Sequence, residues 1–311
     1  MNKLIKMAPG VIIVVALMLI LMLGRNLLDA RLPVMGGNYY KDFKSDAELE
    51  YKYSQLGEYE VDNYTLEEED PVAGAINVWY PKNTGDEKVP MILVANPTKM
   101  PASNYKPFFE RLASWGFVVV GNEAPQSGTG ESTSAALEAM KAIVDTHPLR
   151  DVIDYDTIGI VGYAQGGAGA LATVSEYENG REFDAIFTGS AISPSLSEEV
   201  GWTYDTSKIT VPYFMTASTG DTDAGKDDTE GYAPLTSLMD AYISISDETP
   251  KIRARVSNAD HGDMLKKCDG YMTAWMLYQL KGDTEAAKAF EGSEAEILSN
   301  SNWQDIEKNI D

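Results

Sequence analysis

Short apolar runs alternate with amphipathic segments along most of the chain from residue 59 onward. The later runs are continuously apolar, which is typical of parallel strands buried on both faces. The first two runs leave no room for a helix between them, so they are predicted to pair as an antiparallel hairpin at one edge. The eight predicted strands are 59–66, 75–80, 91–95, 117–120, 158–161, 185–187, 213–217 and 252–256.

The segments between the strands predict five helices. The first opens near Pro107 and ends at Gly116, and the second is capped by Ser132 or Ser134 and stops before Pro148. Strands that alternate with helices imply right-handed crossovers. The fold class is therefore α/β, with a mostly parallel, doubly wound sheet of about eight strands. The other three predicted helices span about 166–177, 234–245 and 269–280.

Residues 1–31 are predicted to form an N-terminal membrane anchor helix. Lys3 and Lys6 precede an uncharged stretch, 7–24, whose length approaches the lower limit of roughly 17 residues for a spanning helix. No small-x-small cleavage site follows, so an uncleaved signal anchor is favoured over a removed signal peptide or a buried core helix. We expect a single-pass cell-membrane protein with an extracytoplasmic domain, or a secreted protein if the signal is cleaved.

The rest of the chain divides into a polar, tyrosine-rich tether at 32–57 and one domain at 58–311. Four of the 25 basic and one of the 48 acidic residues lie in the first 31, so residues 32–311 carry 21 against 47, a net charge of −26. Such a surface repels phosphate backbones, so nucleic acid is not an expected partner. Cys268 is the only cysteine, which excludes an internal disulfide and a cysteine-based metal site.

The candidate chemistry begins directly after the strand 158–161. The sequence there matches G-x-S-x-G, the strand-to-helix turn that carries the nucleophilic serine of α/β-hydrolases, except that Ala164 occupies the serine position. The turn keeps its glycines but has no hydroxyl. Its residues are Gly162, Tyr163, Ala164, Gln165 and Gly166.

An acid and a histidine follow two later strands. Asp221 and Asp223 come after 213–217, and His261 comes after 252–256. The order of nucleophile position, acid and histidine is that of the α/β-hydrolases, and ligands of such sheets meet the carboxyl ends of the strands. We predict His261 as the general base and Asp223 as its acid, with Asp221 as the alternative. The other histidine, His147, lies far from any strand end.

The oxyanion donors are predicted on either side of the turn. One is the backbone N–H of Gln165; the other falls to Thr98 or Lys99, because Pro97 has no N–H. The acidic run 220–230 fails the calcium-loop template, since Lys226 and Tyr232 occupy the turn-glycine and bidentate-glutamate positions. No metal site is predicted.

From about residue 89 onward the chain resembles bacterial α/β-hydrolases of the cutinase, polyester-hydrolase and chlorophyllase-like group. The resemblance lies in 112–120, 162–167, 211–215 with the acid loop, and 260–262. It implies an α/β-hydrolase fold and an extracytoplasmic carboxylic-ester hydrolase that works through an acyl-enzyme without a cofactor. His261, Asp223 and the Gln165 N–H then take the roles of base, acid and oxyanion donor. The chain departs from the group at Ala164 and at 96–99.

Three hypotheses follow. The leading one is a membrane-anchored α/β-hydrolase-fold protein that lacks serine-esterase activity and binds an ester or acyl ligand in its cleft. The second is an active esterase or lipase-like enzyme, and the third is an extracytoplasmic interaction module. Ala164 is interpreted either as a natural loss of the nucleophile, which the departures at 96–99 favour, or as an engineered substitution.

Overall fold

The computed structural model describes residues 35–143 and 148–311, which contain one mixed sheet of nine strands. The α/β fold is confirmed, and each of the eight predicted strands is present, with ends within two residues of the prediction except that β5 begins five residues earlier. The strands are β1 Val61–Thr65, β2 Ile76–Pro81, β3 Val89–Ala95, β4 Val118–Asn122, β5 Ile153–Tyr163, β6 Ala185–Gly189, β7 Tyr213–Ser218, β8 Lys251–Val256 and β9 Trp303–Lys308.

The strands lie in the order β1-β2-β4-β3-β5-β6-β7-β8-β9. Strands β4, β3, β5, β6, β7 and β8 run parallel to their neighbours in this order. The predicted antiparallel hairpin of β1 and β2 forms one edge, and β2 also pairs antiparallel with β4. The order places β5, β6, β7 and β8 side by side, so their carboxyl ends share one edge of the sheet.

Strand β9 was not predicted from the sequence. It pairs antiparallel with β8 at the second edge of the sheet. Among its residues only Trp303 is fully buried, and the rest are exposed or half-buried. A strand covered on so little of its surface carries no apolar run, so the hydrophobic pattern does not indicate it.

Helices cover both faces of the sheet. The five predicted helices correspond to α2, α3, α4, α7 and α9 in the described residues, and the others are short. The helices are α1 Glu48–Ser54, α2 Lys106–Ala113, α3 Glu131–Ala142, α4 Gln165–Glu176, α5 Pro194–Glu199, α6 Asp221–Ala224, α7 Leu235–Ser244, α8 Met264–Lys267, α9 Asp269–Lys281, α10 Thr284–Ala287 and α11 Glu296–Ser299.

Strand β5 shows how the two faces are built. Ile158 and Ile160 belong to a buried cluster with residues of α3 and α7, whereas Val161 and Tyr163 belong to a cluster with residues of α2 and α9. Successive side chains of a strand point to opposite faces, so a continuous apolar run is needed where both faces are covered. This explains why the central strands could be read directly from the sequence.

Residues 35–57 do not form the predicted tether. They pack on the domain through Tyr39, Tyr40 and Tyr53, all of which are buried. The helix α1 lies in this segment, and its N-cap residue Ala47 offers no side-chain acceptor. The carboxylate of Glu296 supplies it instead, accepting from the N–H groups of Leu49 at 2.8 Å and Glu50 at 3.0 Å.

A buried ion pair lies beneath this segment. Arg111 of α2 and Asp269 of α9 are 0% and 1% exposed, with Nε and Oδ2 3.2 Å apart. The Tyr39 hydroxyl donates to the same Oδ2 at 2.5 Å, whereas Oδ1 has no partner in the described part of the chain. Burial raises the pKa of Asp269 to about 6, against the lowering effects of Arg111 and Tyr39. The pair supplies both hydrogen-bond partners of the Tyr39 hydroxyl, which explains why this tyrosine of the predicted tether is buried.

The predicted anchor at 1–31 lies outside the described residues, and so does His147. In residues 35–143 and 148–311, no helix has both the length and the apolar content that crossing a membrane requires.

Candidate active site

The turn between β5 and α4 has the backbone geometry of a nucleophile elbow. Ala164 adopts φ 53° and ψ −120°, a conformation that is strained for any residue with a Cβ. The neighbouring glycines are required by close backbone approaches. A Cβ on Gly162 would lie 2.1 Å from the carbonyl oxygen of Gly166, and one on Gly166 would lie 2.1 Å from that of Ala95. The sequence therefore folds this turn tightly against the end of β3.

Ala164 occupies the position from which a serine would attack. Its N–H donates to the carbonyl oxygen of Gly189 at 2.9 Å, which ties the turn to the end of β6. Its side chain is half-buried, so the methyl group is accessible from the edge of the sheet. The elbow is thus fully formed around a group that cannot act as a nucleophile.

The predicted acid and base are brought together at the same edge. His261 Nδ1 lies 2.6 Å from Asp223 Oδ1; the imidazole is 20% exposed and the carboxylate 0%. The other carboxylate oxygen, Oδ2, accepts from the Ser218 N–H at 2.8 Å and from the Ser190 hydroxyl. Asp223 is therefore held by one contact to the imidazole and two to the sheet ends.

Asp221, the alternative acid, does not take part in this pair. It is exposed and opens the short helix α6, whose single turn directs Asp223 inward. The two aspartates stand two residues apart, and only the path of the turn separates their environments. The sequence pattern could not decide between them.

The loop of His261 is fixed by its own polar residues. A capping box links Asp260 and Asp263, in which the Asp260 side chain accepts from the His261 N–H at 2.9 Å. This hydrogen bond is the main cause that lowers the pKa of the exposed Asp260 carboxyl. The ring of Tyr232, which is 49% exposed, meets the imidazole edge-on with centroids 5.3 Å apart. The base is therefore held by its loop and flanked by an aromatic ring.

The candidate oxyanion donors are partly available. Gln165 is the first residue of α4, where helix geometry leaves the N–H without an intrahelical acceptor. The Lys99 N–H is already committed, because it donates to the carbonyl oxygen of Pro125 at 3.1 Å. Of the two residues predicted to supply the second donor, Lys99 therefore has no free N–H, and the exposed Thr98 remains the candidate.

Sequence reasoning missed the residues that support the pair. The sequence pattern assigns no role at the site to Ser190, Ser218 or Tyr232. Each of these residues lies near the carboxyl end of a strand or in a loop beside one, and this position is the signal that could have indicated a role at the site. What the sequence does not give is the direction of a side chain in an irregular loop.

Other chemistry finds no support in the described residues. Between residues 35 and 143 and between 148 and 311, no group of three His, Cys, Asp or Glu side chains is placed to hold a metal ion. The acidic run that failed the calcium template instead pairs inward, with Asp223 on His261 and Asp228 on Arg255 at 2.5 Å. Cys268 is buried and burial raises its thiol pKa, so it is not a thiolate nucleophile.

A family model described as PET hydrolase-like matches residues 46–308, which is most of the chain. No curated protein matches the sequence.

Proposed function

The chain belongs to the PET hydrolase-like family, and from this premise we propose that it binds an ester or acyl ligand in a hydrolase cleft without forming an acyl-enzyme. The resemblance to the cutinase and polyester-hydrolase group is confirmed at the level of the family. Membership suggests an α/β-hydrolase of ester chemistry. The lack of serine-esterase activity and the bound ligand are our proposals.

One observation carries the proposal: the elbow at Ala164 is fully formed, and the hydrogen-bonded pair of Asp223 and His261 lies at the same edge of the sheet. Acyl transfer through a covalent intermediate needs an oxygen at this turn, and a methyl group cannot supply one. Removing a triad member from a serine hydrolase leaves about 10³–10⁴-fold catalysis over water, from the oxyanion hole and binding. The remaining parts are therefore suited to holding a carbonyl group rather than cleaving it quickly.

Nearby serines do not replace the missing nucleophile. The Ser127 hydroxyl donates to the backbone carbonyl of Asn96, and the Ser190 hydroxyl donates to Asp223, on the carboxylate oxygen that does not face His261. Ser193 makes its side-chain contact with Ser195 at 3.4 Å. A serine nucleophile must instead give its proton to the imidazole, so none of these contacts activates one.

A second candidate function is slow hydrolysis by water that His261 activates. The pair with Asp223 favours it, because a partly exposed imidazole held by a buried carboxylate is the arrangement of a general base. The reaction would need no residue at position 164. The two proposals predict different results for the unaltered chain. The first predicts no turnover, whereas the second predicts slow turnover that disappears in His261→Ala.

The decisive experiment is Ala164→Ser in the full chain, assayed with a short p-nitrophenyl ester and with a fluorophosphonate that labels activated serines. We expect the unaltered chain to be silent in both assays, and the variant to turn over ester and take up one label at residue 164. Ala164→Gly, which keeps the turn and adds no hydroxyl, is the matched control. If Ala164→Ser stays silent in both assays, the cleft has lost more than its nucleophile, and the third hypothesis, an extracytoplasmic interaction module, is favoured.

The location of the protein is also a proposal. The uncharged stretch at 7–24 and its flanking lysines support an uncleaved anchor in the cell membrane with the domain on the extracytoplasmic side. Membrane fractionation followed by protease treatment of intact cells tests it. A soluble protein that lacks residues 1–31 would show that the signal is cleaved.

A further inference from the structure

We infer that Ser190 is a positioning residue, which fixes the carboxylate of Asp223 and through it the imidazole of His261. Ser190 follows β6 directly and is 1% exposed. Its strand lies between β5, which carries the elbow, and β7, which precedes the acid. Among the described strands, β6 alone lies between these two, so Ser190 stands at the strand end that separates the two halves of the site.

The contacts of the carboxylate divide between its two oxygens. Oδ1 faces His261 Nδ1, 2.6 Å away. Oδ2 accepts from the Ser190 hydroxyl and, at 2.8 Å, from the Ser218 N–H. The two donors on Oδ2 prevent rotation of the carboxylate about its Cβ–Cγ bond, so the lone pairs of Oδ1 stay aligned with the imidazole.

The backbone at Ser190 gives an independent reason to assign the hydroxyl a role. Ser190 has φ 50°, and its N–H donates to the carbonyl oxygen of Thr216 at 2.7 Å. A left-handed conformation costs a residue with a Cβ about 1–2 kcal/mol, and glycine adopts it freely. A glycine at position 190 would therefore adopt the same backbone conformation without this strain. The serine adds one thing that glycine lacks, which is the hydroxyl on Asp223.

The fixed carboxylate of Asp223 also determines which nitrogen of His261 carries the proton. A neutral imidazole that donates from Nδ1 to a fixed carboxylate carries no proton on Nε2, so Nε2 is left as an acceptor. This is the form that can take a proton from water or from a hydroxyl placed at residue 164. The link to catalysis rests on the proposed function, whereas the link from Ser190 to the tautomer of His261 does not.

Ser218 offers a matched control. Its N–H donates to Asp223, but its own hydroxyl is buried and has no partner in the described part of the chain. Ser218→Ala therefore removes a buried hydroxyl at the same edge and keeps the contact to the carboxylate. Ser190→Ala and Ser190→Gly both remove the contact, and the glycine variant also removes the backbone strain, so misfolding is not a common cause.

The experiment is ¹⁵N nuclear magnetic resonance of the full chain in detergent with labelled histidine, at a pH where the imidazoles are neutral. The chain has two histidines, so His147 serves as an internal reference. We expect the Nδ1–H tautomer of His261 in the unaltered chain and in Ser218→Ala, and a mixture of tautomers in Ser190→Ala and Ser190→Gly. Unchanged His261 signals in both Ser190 variants, or an equal change in Ser218→Ala, would overturn the inference.

A kinetic measurement separates this inference from the proposed function. In the Ala164→Ser background, Ser190→Gly is expected to lower kcat by up to roughly 100-fold with KM unchanged, as for a displaced catalytic group. Thr133→Ala, which removes a buried hydroxyl of helix α3 that has no partner in the described residues, should leave both constants unchanged, and an equal loss there would count against Ser190. A silent Ala164→Ser chain would contradict the proposed function, and the tautomer measurement would still decide the role of Ser190.

Discussion

Two buried carboxylates with cationic or basic partners lie in this domain, and they are built differently. Asp269 is paired with Arg111, which is itself fully buried and permanently charged. Asp223 is paired with His261, which is 20% exposed and can gain or lose a proton. Every oxygen of Asp223 has a partner, whereas Oδ1 of Asp269 has none in the described residues.

The difference separates a structural pair from a site that can do chemistry. Arg111 reaches no solvent, and its guanidinium also donates to the Tyr53 carbonyl oxygen at 2.8 Å and to Thr273 at 3.0 Å, so it joins the N-terminal segment to the core. His261 follows β8 at the same edge of the sheet as the elbow. Burial and a short contact are common to both pairs, so neither property identifies a catalytic residue; an exposed, titratable partner at the strand ends does.

The largest expected effect lies in catalysis. In the Ala164→Ser background, Asp223→Asn should lower kcat by about 10⁴-fold, because an amide no longer holds the imidazole in the required tautomer. Asp269→Asn in the same background should leave kcat per folded molecule unchanged. Steady-state ester hydrolysis, corrected for the folded fraction by far-ultraviolet circular dichroism, measures both. Equal losses in the two variants would remove the distinction between the pairs.

Stability should show the reverse ranking. At pH 7, Arg111→Met should lower the free energy of unfolding by about 3–5 kcal/mol, because it leaves the buried Asp269 carboxylate without a counterion. Asp223→Asn should cost about 1 kcal/mol, since an amide oxygen can still accept from Ser190 and Ser218. Urea unfolding of the three chains tests this. A larger loss for Asp223→Asn would show that the histidine pair is the structural one.

The Asp269→Asn variant should also change how the free energy of unfolding depends on pH. The pKa of Asp269 is raised from 3.8 to about 6 in the folded chain, so the folded state binds the proton more tightly than the unfolded state does. Its contribution to stability is therefore fully present below about pH 4 and is lost as the pH rises through 6. Asp269→Asn should remove this fall from the stability profile between pH 4 and 6. A profile of unchanged slope would contradict the raised pKa.

The smallest effect concerns the elbow beside the Asp223 pair. Ala164→Gly should raise the free energy of unfolding by about 1 kcal/mol, because glycine removes the strain of φ 53°. Ala139→Gly, in the ordinary helix α3, should lower it by about 1 kcal/mol. Thermal unfolding of the two variants distinguishes them. Destabilisation by both would mean that the turn at Ala164 is not strained.

The sequence predicted the central fold well, because strands such as β5 are covered on both faces and must be continuously apolar. It also found Ala164, which follows such a strand, and His261, which follows β8, where apolar residues alternate with Arg253 and Arg255. It did not find β9, in which only Trp303 is fully buried, nor the docking of residues 35–57. Asp221 and Asp223 could not be separated, and Ser190 was passed over, because both depend on the direction of side chains in irregular loops.

The capping of α1 by Glu296 affects the order in which the chain assembles. The hydrogen bond from the Leu49 N–H spans 247 residues, so α1 is completed by a residue that is synthesised 247 positions later. At roughly 5–20 residues per second, the ribosome needs on the order of 10–50 seconds to cover that interval. The N–H groups at the start of α1 therefore lack this acceptor while the strands of the sheet are synthesised, and their attachment to Glu296 is a late step of folding.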